Sequence, residues 1–296
     1  MTAPRPSSRA LAAALSLLLA PPLAAQGGAS NEAPSPMRQA IQLDLDGRTA
    51  QARVLFQRLV DSAADPAARS QAERALAMSY AFDGDCAGTL KYEQMVIDYW
   101  KTREAAEPQN AFFQEGELAD EGARVCVDAG DLASAEAWYR KGDSLGLLEP
   151  APRTHPASLW AFRLAHALGR IAARRGDTTE ARRQVALARR ALDGDSAMAA
   201  QQERFFPYLT GYVALYTGDL TAALADFTRA VGLRGNERDP YMRCLLALTE
   251  ERMVGHEAQA RADFQRAYDL ATGHNPPAAY VRPLVRKKLG LPQSGR

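Results

Sequence analysis

The stretch Gly211–Ala230 reads GYVALYTGDLTAALADFTRA. An apolar run rich in Ala and Leu stops at Gly218, Asp219 follows, and a second such run begins. Glycine ends helices because it enters the left-handed conformation without a Cβ penalty. An aspartate just after it caps the next helix by accepting from the free N–H groups of its first turn. The stretch therefore predicts two antiparallel helices joined by a tight turn. The same Gly-Asp pair stands at Gly84-Asp85, Gly130-Asp131 and Gly176-Asp177, and the spacing persists without the Asp at Gly47 and Gly255. Five residues past the six glycines come Ala52, Thr89, Ala135, Ala181, Ala223 and Ala260. The copy Arg175-Gly176-Asp177 also spells a cell-adhesion tripeptide, but only its Arg is peculiar to it. Asp177 with Glu180 forms a capping box, so it reads as one more hairpin turn.

Successive turn glycines are 37, 46, 46, 42 and 37 residues apart. Gly169 and Gly211 sit seven residues before their turns, where a small residue lets paired helices approach closely. Tyr139, Phe227 and Phe264 follow nine residues after the turns and fill the gaps, and Ala188, Ala230 and Ala267 follow after twelve. This pattern, Gly-x6-Gly-x4-Ala-x3-Phe-x2-Ala, resembles the tetratricopeptide repeat. Gly211, Gly218, Ala223, Phe227 and Ala230 match it in full; Gly169, Gly176, Ala181 and Ala188 match it with Val185 at the aromatic place. Thr89 and Gly142 depart from it in earlier units, and the spacing mostly exceeds the family's repeat of about 34 residues. The resemblance covers roughly Met37 to Thr272. It implies an all-α solenoid of about six antiparallel hairpins, near 37–62, 66–104, 109–145, 157–193, 196–233 and 238–272. A capping helix near 278–289 is expected to cover the last hairpin.

Before the repeats, MTAPRPSSR carries Arg5 and Arg9, an apolar ALAAALSLLLA follows, and PPLAAQGG ends it. A charged start, a short apolar core and small residues predict a secretory signal peptide over 1–25, cleaved after Ala25. The alternative is an uncleaved anchor, against which the shortness of the run argues. Residues 26–36 and 290–296 are expected to be disordered, leaving a solenoid over 37–289. No later stretch is apolar enough to span a bilayer. The formal charge of +1 falls to −1 without Arg5 and Arg9, which disfavours nucleic acid as a partner. Only five of 36 basic residues are Lys, which suggests a GC-rich bacterial coding sequence and hence a periplasmic or secreted protein.

Chemistry-bearing motifs are sparse. DLDGR and DGDCAG lack the twelve-residue ligand set of a calcium loop. His155, His166, His256 and His274 form no zinc pattern, and neither a Gly-x-Ser-x-Gly elbow nor a phosphate loop occurs. No enzyme, cofactor or metal is therefore expected. Export permits disulfides. Cys86 begins one second helix and Cys126 lies near the end of the next first helix, so a Cys86–Cys126 bridge is expected, with two buried free thiols as the alternative. Cys244 is expected to stay free and buried.

In the resembled family, the first helix of each hairpin lines a concave groove. Arg163, Arg170 and Arg174 fall on that stripe in unit four, and Tyr208, Tyr212 and Tyr216 in unit five. These six are the candidate groove, with tyrosines stacking on a ligand and arginines taking a carboxylate. The competing reading pairs the arginines with Glu117, Asp120 and Asp128 and packs the tyrosines. The expected function is a non-catalytic protein- or peptide-binding scaffold of the cell envelope. The alternative is a periplasmic small-ligand or glycan-binding protein using the same groove.

Overall fold

A computed structural model describes residues 34–292. The expected signal peptide and most of both expected disordered segments lie outside the described residues. The described chain is all-helical: fourteen α-helices and one 3-10 turn, packed as consecutive pairs. The pairs are α1 (Pro36–Leu45) with α2 (Thr49–Asp61), α3 (Pro66–Phe82) with α4 (Cys86–Lys101), and α5 (Pro108–Ala129) with α6 (Leu132–Gly146). They continue as α7 (Ala157–Arg174) with α8 (Thr178–Asp193), α10 (Phe206–Thr217) with α11 (Leu220–Gly232), and α12 (Pro240–Glu250) with α13 (Glu257–Leu270). A short α9 (Ser196–Gln202) and a 3-10 turn at Glu203–Phe205 precede α10, and α14 (Pro276–Leu289) follows α13.

The turns are built as the Gly-Asp pairs require. All six turn glycines have positive φ, from +69° at Gly84 to +92° at Gly218. Asp85, Asp131, Asp177 and Asp219 accept from the backbone N–H three residues on, at 2.9–3.0 Å. Pro opens α1, α3, α5, α12 and α14, where its missing N–H has no intrahelical partner to lose. Arg175 lies over α6, donating to Glu136 at 2.6 Å and to the Leu132 carbonyl at 3.1 Å, which ties the Arg175-Gly176-Asp177 turn down.

All six residues five past the turns are buried, as close helix pairing demands. Phe56, Tyr139, Phe227 and Phe264 are buried nine past their turns, but Glu93 occupies that place in the second pair and is fully buried. Cys86 and Cys126 are disulfide-bonded with Cα atoms 4.8 Å apart, linking α4 to α5. Cys244 is free and buried.

Two elements differ from the sequence expectation. The first helix of unit five is split. Pro207 cannot donate to the carbonyl four residues back, and the chain between α9 and α10 tightens into the 3-10 turn. More consequentially, α14 does more than cover the last hairpin. It packs on α13 and α12, but also on α3, α5 and α1. One apolar cluster runs from Leu45, Met78, Phe82 and Val125 to Cys244, Phe264, Val281 and Val285. The inner helices thus wrap around α14, and the row of hairpins closes on its own C-terminal helix.

Candidate functional site

Where α14 begins, at Pro276, the inner helices leave an open cavity of about 430 Å³. Four elements supply its charged wall. Arg74 comes from α3; Glu117, Asp120, Glu121 and Arg124 from α5; Arg163, His166 and Arg170 from α7; Tyr208 from α10. Residues three and four apart share a helix face, which is why α5 and α7 each present a row of side chains to the same space. Tyr139, Phe162, Phe205 and Gln202 complete the lining.

Two of the arginines are paired with carboxylates. Arg74 meets Glu121 at 2.6 Å, and Arg163 forms an ion pair with Glu117. The other two are not. Arg170 is only 5% exposed and spends its donors on neutral acceptors. It donates to the Tyr208 and Tyr139 hydroxyls, both at 2.9 Å, and to the His166 carbonyl at 3.4 Å. Arg124 lies over the Tyr241 ring at 4.3 Å, and its Nε has no acceptor among the described residues. Asp128, one turn along α5, accepts instead from the Tyr241 hydroxyl at 2.7 Å.

Burial sets the protonation states. It holds the Asp120 carboxyl well above the usual carboxylate range, with Arg163 opposing. Burial and then the Arg170 charge push His166 well below its ordinary value, so its imidazole is neutral near pH 7. The His166 Nε2 has no hydrogen-bond partner among the described residues. Burial lifts the Tyr139 hydroxyl to about 12, so it stays protonated. Among the described residues no group of three or more His, Cys, Asp or Glu is placed to hold a metal ion.

The six candidate groove residues occupy different settings. Tyr208 and Tyr212 are 6% and 0% exposed; the Tyr208 ring packs edge-on against Tyr241 at 6.0 Å and against Tyr212 at 6.1 Å. Tyr216 lies 4.6 Å from Tyr212, half-buried. Arg170 meets Tyr208, whereas Arg174 reaches the Tyr212 and Tyr216 hydroxyls at 3.4 Å. Arg163 stands with Glu117 at the cavity mouth. The helix stripe thus splits: Arg163, Arg170 and Tyr208 line the cavity, while Arg174, Tyr212 and Tyr216 do not. His166 and Tyr139 are cavity residues that the stripe alone did not select. The opposite signs of the rows on α5 and α7 were the available signal.

Comparison with models of known protein families gives no match, and no curated protein matches the sequence.

Proposed function

We propose that the chain is a non-catalytic binding protein of tetratricopeptide type that works in the bacterial cell envelope and takes a compact ligand in the central cavity. The observation that carries this is the position of α14. It occupies the concave face between α3, α5 and α12, so an extended peptide would have to displace it. What stays open is a space of about 430 Å³, within the usual range for small-molecule sites, walled by a few convergent polar groups and aromatic rings. A protein partner reaches such a site only with a chain end. The Cys86–Cys126 bridge supports an oxidising compartment, in keeping with the leader-like N-terminus. His166 is buried, and among the described residues neither a carboxylate nor a nucleophile is hydrogen-bonded to its ring, which favours binding over chemistry.

Thermal-shift screening of the chain against organic acids, sugars, cell-wall fragments and short peptides tests the proposal. A ligand at one hundred times its Kd adds about 2.7 kcal/mol of stability. The expected result is one compact class that raises Tm in wild type and fails to do so in Arg163→Glu. If instead only folded proteins are captured from an envelope fraction, equally by both forms, the site lies on the outer surface.

A further inference from the structure

Four guanidiniums line the cavity, and only two of them touch a carboxylate. A buried charge without a counter-charge is unfavourable, because the protein interior solvates ions poorly. Arg170 is the sharper case. It is nearly inaccessible, yet its three hydrogen bonds go to two tyrosine hydroxyls and one carbonyl. Those bonds hold the guanidinium plane still, and no carboxylate is hydrogen-bonded to it: Asp120 and Asp128 act on its charge only through space. A guanidinium has five N–H donors, so two remain for something else.

Arg124 is held differently, by the face of Tyr241, which in turn packs on Tyr208. It makes no hydrogen bond to a carboxylate among the described residues: Asp128, its nearest candidate along the helix, acts on it only through space and bonds Tyr241 instead. Between the two arginines stands His166, 8% exposed, with its Nε2 unpartnered and its ring against Tyr208 at 4.9 Å. Asp120 does little to restore the balance: it makes no hydrogen bond to either arginine, and burial disfavours its charged form. The cavity is therefore short of negative charge, and its spare donors are fixed before any ligand arrives. Preorganised donors lose little freedom on binding.

We propose that the cavity is an oxyanion site: it takes a small organic anion whose carboxylate or phosphate is received by Arg170 and Arg124, with its apolar body against Phe162 and Phe205. Arginine suits either group through its flat fork of donors. This rests on the cavity being the binding site and names what that site reads.

The test is calorimetric titration of the whole chain with three sets of probes. Succinate and a dipeptide form the carboxylate arm, inorganic phosphate and glycerol phosphate the phosphate arm, and glucose and a neutral amidated, acetylated dipeptide the uncharged arm. The expected result is binding in one anionic arm that weakens with added salt, drops at least tenfold in Arg124→Gln, and is unchanged in Arg175→Gln on the outer surface. The arm that binds identifies the source. Arg170→Gln should abolish binding; if circular dichroism shows it unfolded, the half-exposed Arg124 decides alone. Anion binding that is equal in wild type and Arg124→Gln overturns the proposal. Binding of the uncharged arm alone overturns it too, while leaving the cavity as a site. No binding in any arm removes both.

Discussion

His274 Nε2 lies 2.8 Å from Asp44 Oδ2, although 230 residues separate them. His274 sits in the linker before α14 and Asp44 in the first helix, so this contact fastens the end of the fold to its beginning. The ring is sandwiched between Phe56 and Phe82, with centroids 5.4 and 5.5 Å away. Asp44 is fully enclosed and also accepts from Ser79 at 2.8 Å. Nearby, Arg282 and Arg286 both donate to the Leu45 carbonyl, at 2.6 and 2.9 Å. His274→Ala removes one partner of a buried carboxyl and opens a gap between two phenylalanines. It should cost about 2–4 kcal/mol, since an unsatisfied buried acceptor and a cavity add. Denaturant unfolding checks it; a loss under about 0.5 kcal/mol would mean that the closure carries little weight.

The second prediction concerns the Cys86–Cys126 bond. It closes a loop across 40 residues between α4 and α5. In the chain-entropy picture such a loop adds about 4 kcal/mol, by restricting the unfolded chain. The paired replacement Cys86→Ser with Cys126→Ser should lower the denaturant midpoint accordingly, and reductant should do the same to wild type. Since Cys126 is fully buried, part of the loss is enthalpic, from a hydroxyl placed among apolar neighbours. Replacement by Ala separates the two contributions. Reductant without effect on the wild-type midpoint, with thiols shown to be free, would contradict the prediction.

A third prediction follows from enclosed carboxyls. Burial, with Glu104 adjacent, lifts Glu115 to about 7; burial, with Asp263 adjacent, does the same for Glu250. Glu115 is 0% exposed and Glu250 5%. In the unfolded chain both return to the ordinary value near 4.5. The folded state therefore holds protons that the unfolded state has released. Stability is full below about pH 4.5 and declines as pH rises towards 7, by up to about 3 kcal/mol per group. Glu115→Gln and Glu250→Gln should each flatten that decline and raise stability at pH 8. Glu93 and Asp120, raised in the same direction by burial, add to the slope in wild type. Unfolding curves across pH 4–8 read this directly. A slope unchanged in the double variant would show that both groups ionise freely in the fold.

The hairpins were legible because their signals are local. Gly and Asp at a turn, Ala five residues on and a bulky residue nine on all act within one hairpin, about 14 Å or less from the turn. The fate of α14 was not legible, because it depends on curvature summed over six units. The tyrosine stripe of α10 was hard to read for a related reason. Phe206–Thr217 carries no charged residue, so it is apolar on every side. Periodicity selects a face only when the opposite face is wet. A helix of that composition reads as enclosed, and Tyr208 is indeed packed against Tyr241, and Tyr212 against Tyr208. The cavity lay between these cases. Its charged rows on α5 and α7 were visible as spacing, but Arg170 meeting tyrosines rather than Asp120 depends on side-chain placement across three hairpins.

The last prediction tests how closely neighbouring units must approach. Trp160 of α7 is almost fully buried, and its indole rests on Gly116 of α5 and Gly146 of α6. A Cβ at Gly146 would collide with the fused ring, and one at Gly116 with its far edge. Neither glycine has positive φ, so the backbone itself would accept alanine. Helix propensity alone makes Gly→Ala favourable by about 1 kcal/mol. Overpacking a closed core costs about 1–3 kcal/mol, and a rigid indole has no flexible end to yield. The collision should win, so Gly146→Ala is expected to destabilise by about 1–2 kcal/mol. Gly232→Ala, where nothing lies within reach of the new methyl, should instead stabilise by about 0.5–1 kcal/mol. Pairing Gly146→Ala with Trp160→Phe removes the fused ring that obstructs the methyl. The double variant should then lose less than the sum of the single losses, a coupling of at least about 0.5 kcal/mol. Strict additivity would show that the indole moves aside freely and that the small residues of α5 and α6 do not form its socket.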